Sequence, residues 1–197
     1  MPNWCYNTLR VKGDAKERER FHELATQNGK LEILKNLYPT PAELVDTPSG
    51  YFGGDKQAEV ERMNAQNLEK YGSKDWYDWN IKNWGTKWGD CETWVDDSQE
   101  DTLYGFDTAW SPPIEGLTHI SSMFPTLDFI LTYSEEGMGY YGITVIQNGA
   151  YDDTCENVED IEGYSEIDWN SEESGCGYEK AQELIDAARE ALYARVS

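Results

Sequence analysis

The chain has 197 residues, with 16 Lys or Arg against 38 Asp or Glu, for a formal net charge of −22. A chain this acidic is repelled by nucleic-acid backbones and anionic lipid alike, which excludes a general phosphate-backbone binder and points to positively charged partners. With 39% hydrophobic and 13% aromatic residues, eight Trp and thirteen Tyr among them, it is also too rich in core material for a disordered acidic polymer, and its length suits one domain with insertions.

Taken in order, Trp4 to Gly13 alternates side chains and stops at Gly, the pattern of a first strand. Asp14 then has the chemistry of an N-cap, and Phe21, Leu24 and Ala25 form an apolar helical stripe that Asn28-Gly29 is expected to end. Residues 30–90 interrupt the rhythm as a mostly helical, Trp-rich insertion. It holds a short apolar segment at Leu31 to Leu37, a Pro turn at Tyr38 to Pro41, a Gly-rich loop at Ser49 to Gly54, a polar helix near Lys56 to Tyr71 and an indole-burying helix from Trp76 to Gly85. Cys91 to Val95 and Thr102 to Trp110 alternate around an acidic turn and predict a hairpin. A helix follows, capped by Ser111 and marked by Leu117, Ile120 and Phe124, and then a strand from Leu127 to Tyr133. Without the insertion the order is β-α-β-β-α-β, so the expected fold is α+β, a ferredoxin-like split βαβ two-layer sandwich. Tyr140 to Ile146 and Gly149 to Tyr151 add C-terminal strands, and Tyr178 to Arg195 has the apolar spacing of a C-terminal helix.

Charge divides the chain unequally. Residues 1–95 hold 13 basic and 15 acidic side chains, whereas residues 96–197 hold 3 and 23. Between Lys87 and Lys180 there is no cation, while 22 acids occur there, so ion pairs cannot form within that stretch. On this basis we expect residues 1–150 to form the ferredoxin-like domain. Residues 151–197 are then an acidic segment plus a C-terminal helix packed on it. The densest acids are Asp152, Asp153, Glu156, Glu159, Asp160, Glu162, Glu166, Asp168, Glu172 and Glu173. Solubility needs a net charge of only ~2–8 on a small domain, and crowding more like charges together costs self-repulsion. These ten acids are therefore the candidate partner-binding residues.

Several blocks also resemble a known family. They are Met1-Pro2-Asn3-Trp4-Cys5-Tyr6-Asn7, Trp79-Asn80-Ile81-Lys82-Asn83-Trp84-Gly85-Thr86-Lys87-Trp88, Phe106-Asp107-Thr108-Ala109-Trp110-Ser111-Pro112-Pro113 and Tyr133-Ser134-Glu135-Glu136-Gly137. Together they resemble the YubB-like family, uncharacterised accessory proteins of bacterial plasmids and phages. Over residues 1–150 the resemblance implies a ferredoxin-like fold without an iron–sulfur cluster, and it implies no catalytic residue.

Catalytic chemistry finds little support. His22 and His119 lack partners at ligand spacing, and carboxylates are too abundant for any one pair to stand out as acid and base. The run Asp152 to Gly163 has Asn157 where a calcium-binding EF-hand loop needs Gly, and it lacks the terminal Glu. Cys5, Cys91, Cys155 and Cys176 are scattered, which fits free thiols. No secretory signal or membrane-length apolar run is apparent, so a cytoplasmic location in a bacterial host is expected. The expected function is thus non-enzymatic, without cofactor or metal. The acidic surface would occupy the basic surface of a host nucleic-acid-binding protein by imitating phosphates, as anti-CRISPR and anti-restriction inhibitors would. The alternative is a single-stranded nucleic-acid or small-ligand module using sheet aromatics, with Tyr104-Gly105-Phe106 in the place of an RNA-recognition strand motif, although Leu103 stands where that motif needs Arg or Lys. Exposed sheet edges would also allow a homodimer.

Overall fold

The computed structural model describes residues 3–97, 100–169 and 177–196. Strand β1 (Trp4–Lys12) alternates so that Cys5, Leu9 and Val11 are buried on one face while Tyr6, Thr8, Arg10 and Lys12 take the other. Helix α1 (Ala15–Ala25) begins where the Asp14 carboxylate accepts from the backbone N–H of Lys16 and Glu17, and it buries Phe21 and Ala25. The helix ends before Asn28-Gly29. These two residues, at φ 54° and 74°, turn a two-residue ribbon, β2 (Thr26–Gln27) with β3 (Lys30–Leu31), and positive φ at both central positions is what such a tight turn requires.

The insertion then supplies α2 (Ile33–Leu37), α3 (Ala42–Val45), α4 (Gly54–Tyr71) and α5 (Trp76–Trp84). It is tied to the main fold by Asp90, whose buried carboxylate accepts from the N–H of Ile33 at 2.6 Å and of Leu34 at 2.9 Å. Burial raises the Asp90 pKa, and the two backbone donors and Lys35 offset part of that rise.

The hairpin β4 (Cys91–Asp96) and β5 (Thr102–Ala109), helix α6 (Ile114–Ser121) and strand β6 (Asp128–Glu135) complete the split βαβ. Here α6 starts after Pro113 with no side-chain cap. Ser111, expected as its cap, instead donates its hydroxyl to the Gly85 carbonyl, because the Pro112-Pro113 turn carries it away from the helix. Strands β7 (Tyr140–Gln147) and β8 (Ala150–Asn157) extend the sheet, giving the order β4-β5-β1-β6-β7-β8, with every neighbouring pair antiparallel. The sheet therefore runs seven residues beyond position 150, where the acidic composition begins.

Two cores result. On the helical face Phe21 makes edge-to-face contacts with Tyr104, Phe124 and Phe129, surrounded by Leu9, Leu34, Leu117, Ile120, Trp79 and Trp84. On the opposite face the C-terminal helix α7 (Gly177–Val196) lays Ile185 and Leu192 over Ile130, Tyr141, Ile143 and Val158. Arg189 reaches down from α7 to the Thr8 hydroxyl at 3.1 Å and the Thr132 carbonyl at 3.1 Å, and burial lowers its pKa.

Candidate functional site

The charge-dense stretch opens on a sheet edge. Strand β8 pairs only with β7 among the described strands, so the register fixes where its acids stand. Asp152 lies opposite Val145 and Glu156 opposite Tyr141, on the face that α7 covers, while Asp153 lies opposite Thr144 on the other face. The Asp153 carboxylate accepts from the Tyr133 hydroxyl at 2.9 Å and the Thr144 hydroxyl at 2.7 Å. Glu156 accepts from the Tyr141 hydroxyl at 2.6 Å and faces Arg195 at 3.6 Å. Burial, and after it the Glu156 carboxylate, push the Tyr141 hydroxyl up to about 12, so it stays a donor at neutral pH. Asp153 and Glu156 are thus engaged within the fold.

Beyond β8 the backbone winds through 3-10 turns at Val158–Asp160 and Tyr164–Glu166. Val158, Ile161 and Tyr164 pack with the α7 residues Ile185 and Leu192, which anchors the turns from below. Glu159, Asp160, Glu162 and Glu166 remain exposed between these anchors, as does Asp152 on the edge strand. None of these five forms an ion pair among the described residues. Asp168 is exposed at the end of the segment, and Glu172 and Glu173 lie outside the described residues. The eight candidate acids within the described residues therefore belong to one edge of the molecule without forming one face.

The aromatic alternative fares differently. Tyr104 and Phe106, at 1% and 2% exposure, point into the helical-face core, because β5 alternates and only Gly105 between them faces outward. The Trp94 indole lies across Gly105, where a Cβ would come within 2.0 Å of it. Trp94 and Tyr6 are the large aromatics left exposed along this part of the sheet. Within the Trp-rich block, Trp79 and Trp84 are buried. His119 stacks on Tyr38 at 3.7 Å, and His22 Nδ1 lies 3.4 Å from the Tyr104 hydroxyl. Among the described residues no cluster of His, Cys, Asp and Glu is placed to hold a metal ion, and no helix is long and apolar enough to cross a membrane.

Sequence reasoning missed Tyr133, Tyr141 and Arg195 as the groups that hold Asp153 and Glu156. For the two tyrosines the signal is a strand register that places each on the same face as its acid, Tyr141 with Glu156 on one face and Tyr133 with Asp153 on the other.

Residues 83–172 match a family model described as a ferredoxin-like domain in Api92-like protein. The crystal structure of protein api92 from Yersinia pseudotuberculosis is similar, with a TM-score of 0.51 and 13% identity over 80% of this chain and 98% of that one. At that identity the likeness is one of fold. A comparison with curated proteins gave no match. The matched span excludes β1, yet β1 lies between β5 and β6 in the sheet, so the ferredoxin-like unit of this chain needs its first strand as well.

Proposed function

We propose that this chain is a non-enzymatic protein that binds a basic, nucleic-acid-handling protein through the acidic edge formed by β8 and the turns after it. The observation that carries this is the set of five exposed acids, Asp152, Glu159, Asp160, Glu162 and Glu166, held on an anchored backbone with no cation paired to them among the described residues. Carboxylates fixed on a folded scaffold offer a cationic surface the field it evolved to meet in phosphates, without the ordering cost of a disordered tail. Such binding is fast and weakens steeply with salt. Targets that present such a cationic surface are a defence nuclease, a CRISPR effector, a restriction enzyme, a polymerase or a nucleoid protein.

The test is capture from nuclease-treated bacterial lysate at low salt, followed by a salt gradient. One basic protein, released by salt and displaced by DNA or RNA, is the expected result. Retention that DNA and RNA fail to displace would exclude mimicry. A second reading, single-stranded nucleic acid on the sheet, is favoured only by exposed Tyr6 and Trp94, since Arg10 and Lys12 on that face lie over the Tyr193 ring and Arg10 pairs with Asp101. Titration with labelled oligonucleotides separates the two, and we expect no binding.

A further inference from the structure

Away from the acidic edge, the insertion and the loop before β4 enclose a groove of about 410 Å³. Roughly 300–1,000 Å³ is the usual size of a small-molecule site. Its walls are Trp76 and Trp84 from α5, Trp88 from the following loop, and Pro39 and Val45 from the segment around α3. These walls are held in place. Trp84 Nε1 donates to the Tyr38 carbonyl at 2.8 Å, and the Asn80 side chain is locked between the Thr40 hydroxyl at 2.6 Å and the Lys87 carbonyl at 2.9 Å. The indole surfaces thus need little reordering to receive a ligand.

One charged side chain lines the groove, Lys35. Its ammonium lies 2.6 Å from Glu32, which also holds Lys30 at 2.9 Å. A ligand anion that draws Lys35 away therefore leaves Glu32 paired with Lys30, so the exchange strands no charge. From indole walls, this size and a single cation at the lining, we infer that the groove binds a flat aromatic anion, an aryl carboxylate, sulfonate or phosphate. Its ring would lie against Trp76, Trp84 and Trp88, and its acidic group would meet Lys35. This site lies on different elements from the acidic edge and does not depend on the function proposed for that edge.

The experiment uses two dyes of similar ring system, the anion anilinonaphthalene sulfonate and neutral phenylnaphthylamine, titrated against the full chain by dye and tryptophan fluorescence. We expect saturable binding of both at one site per chain. Lys35→Gln should weaken the anion by about fivefold or more, the scale of one charge-assisted contact, and leave the neutral dye within about twofold. Val45→Asp, on the exposed rim of α3, should weaken the anion further, whereas Trp94→Ser, whose indole lies across Gly105 on the opposite face of the sheet, should change neither dye. Circular dichroism establishes that each variant is folded. Unsaturable dye uptake, equal loss of both dyes in Lys35→Gln, or loss of binding in Trp94→Ser would each overturn the assignment.

Discussion

The two halves of this chain handle their carboxylates by different means. In residues 1–95, acids and cations are nearly balanced and pair directly, as Glu17 does with Arg20, Glu32 with Lys30 and Lys35, and Glu43 with Lys70. In residues 96–197 only 3 cations face 23 acids, so beside the pairs of Asp101 with Arg10, Asp186 with Arg189 and Glu156 with Arg195 the fold engages carboxylates through neutral donors. Asp153 and Glu156 accept from tyrosine and threonine hydroxyls, and Glu135 accepts from the backbone N–H of Gly137 and Met138. The difference separates acids that serve the fold from acids that do not. Asp153, Glu156 and Glu135 are held by such donors as structural groups, whereas Glu159, Glu162 and Glu166 face outward and are available to a partner.

The largest effect should fall in the balanced half. Trp84→Ala removes a buried indole and its bond to the Tyr38 carbonyl, and should cost about 3–5 kcal/mol in urea unfolding. A cost below about 1 kcal/mol would mean the insertion is loosely attached. In the acidic half, Arg189→Ala should cost about 2 kcal/mol by stranding Thr8 and Thr132 beneath α7, read by the same unfolding experiment.

A smaller effect depends on pH. Burial raises the Asp90 pKa above its ordinary 3.8, so the folded state holds that proton more tightly than the unfolded state does. The stability from protonated Asp90 is present below the unfolded pKa and is lost as pH rises through the folded one. The unfolding free energy of the unsubstituted protein minus that of Asp90→Asn should therefore decline from about pH 3 toward neutrality. A difference that grows over this range would show that the backbone donors outweigh burial. Least of all, replacing Asp152, Glu159, Asp160, Glu162 and Glu166 by their amides should change stability by less than about 0.5 kcal/mol, with any change toward greater stability as self-repulsion is relieved. A large loss would place these acids with Asp153 and Glu156 as structural groups.

The ferredoxin-like order was legible because β1 alternates, because β5, β6 and β7 are short runs rich in apolar and aromatic residues bounded by turns, and because Asp14 and Gly85 mark helix ends with side-chain and backbone chemistry that is local. Strand β8 escaped beyond Tyr151 for the converse reason. At a sheet edge all but one of its residues are exposed, so Asp152 to Asn157 shows no hydrophobic period and reads as an acidic linker. Asn28-Gly29 suits a helix end and a hairpin turn equally well, and only the pairing of Thr26 with Leu31 decides between them. Of the site, the excess of acids could be read directly, but not which of them a tyrosine engages. The groove was hidden altogether, since Lys35, Val45, Trp76 and Trp88 meet only in three dimensions.

The most direct test of the acidic edge is a parallel lysate capture with the unsubstituted chain and the variant carrying amides at positions 152, 159, 160, 162 and 166. We expect the unsubstituted chain to retain a basic nucleic-acid-handling protein that DNA or RNA displaces, and the variant to lose it at the same low salt. Equal retention by both, with the same salt dependence of release, would contradict binding through this edge.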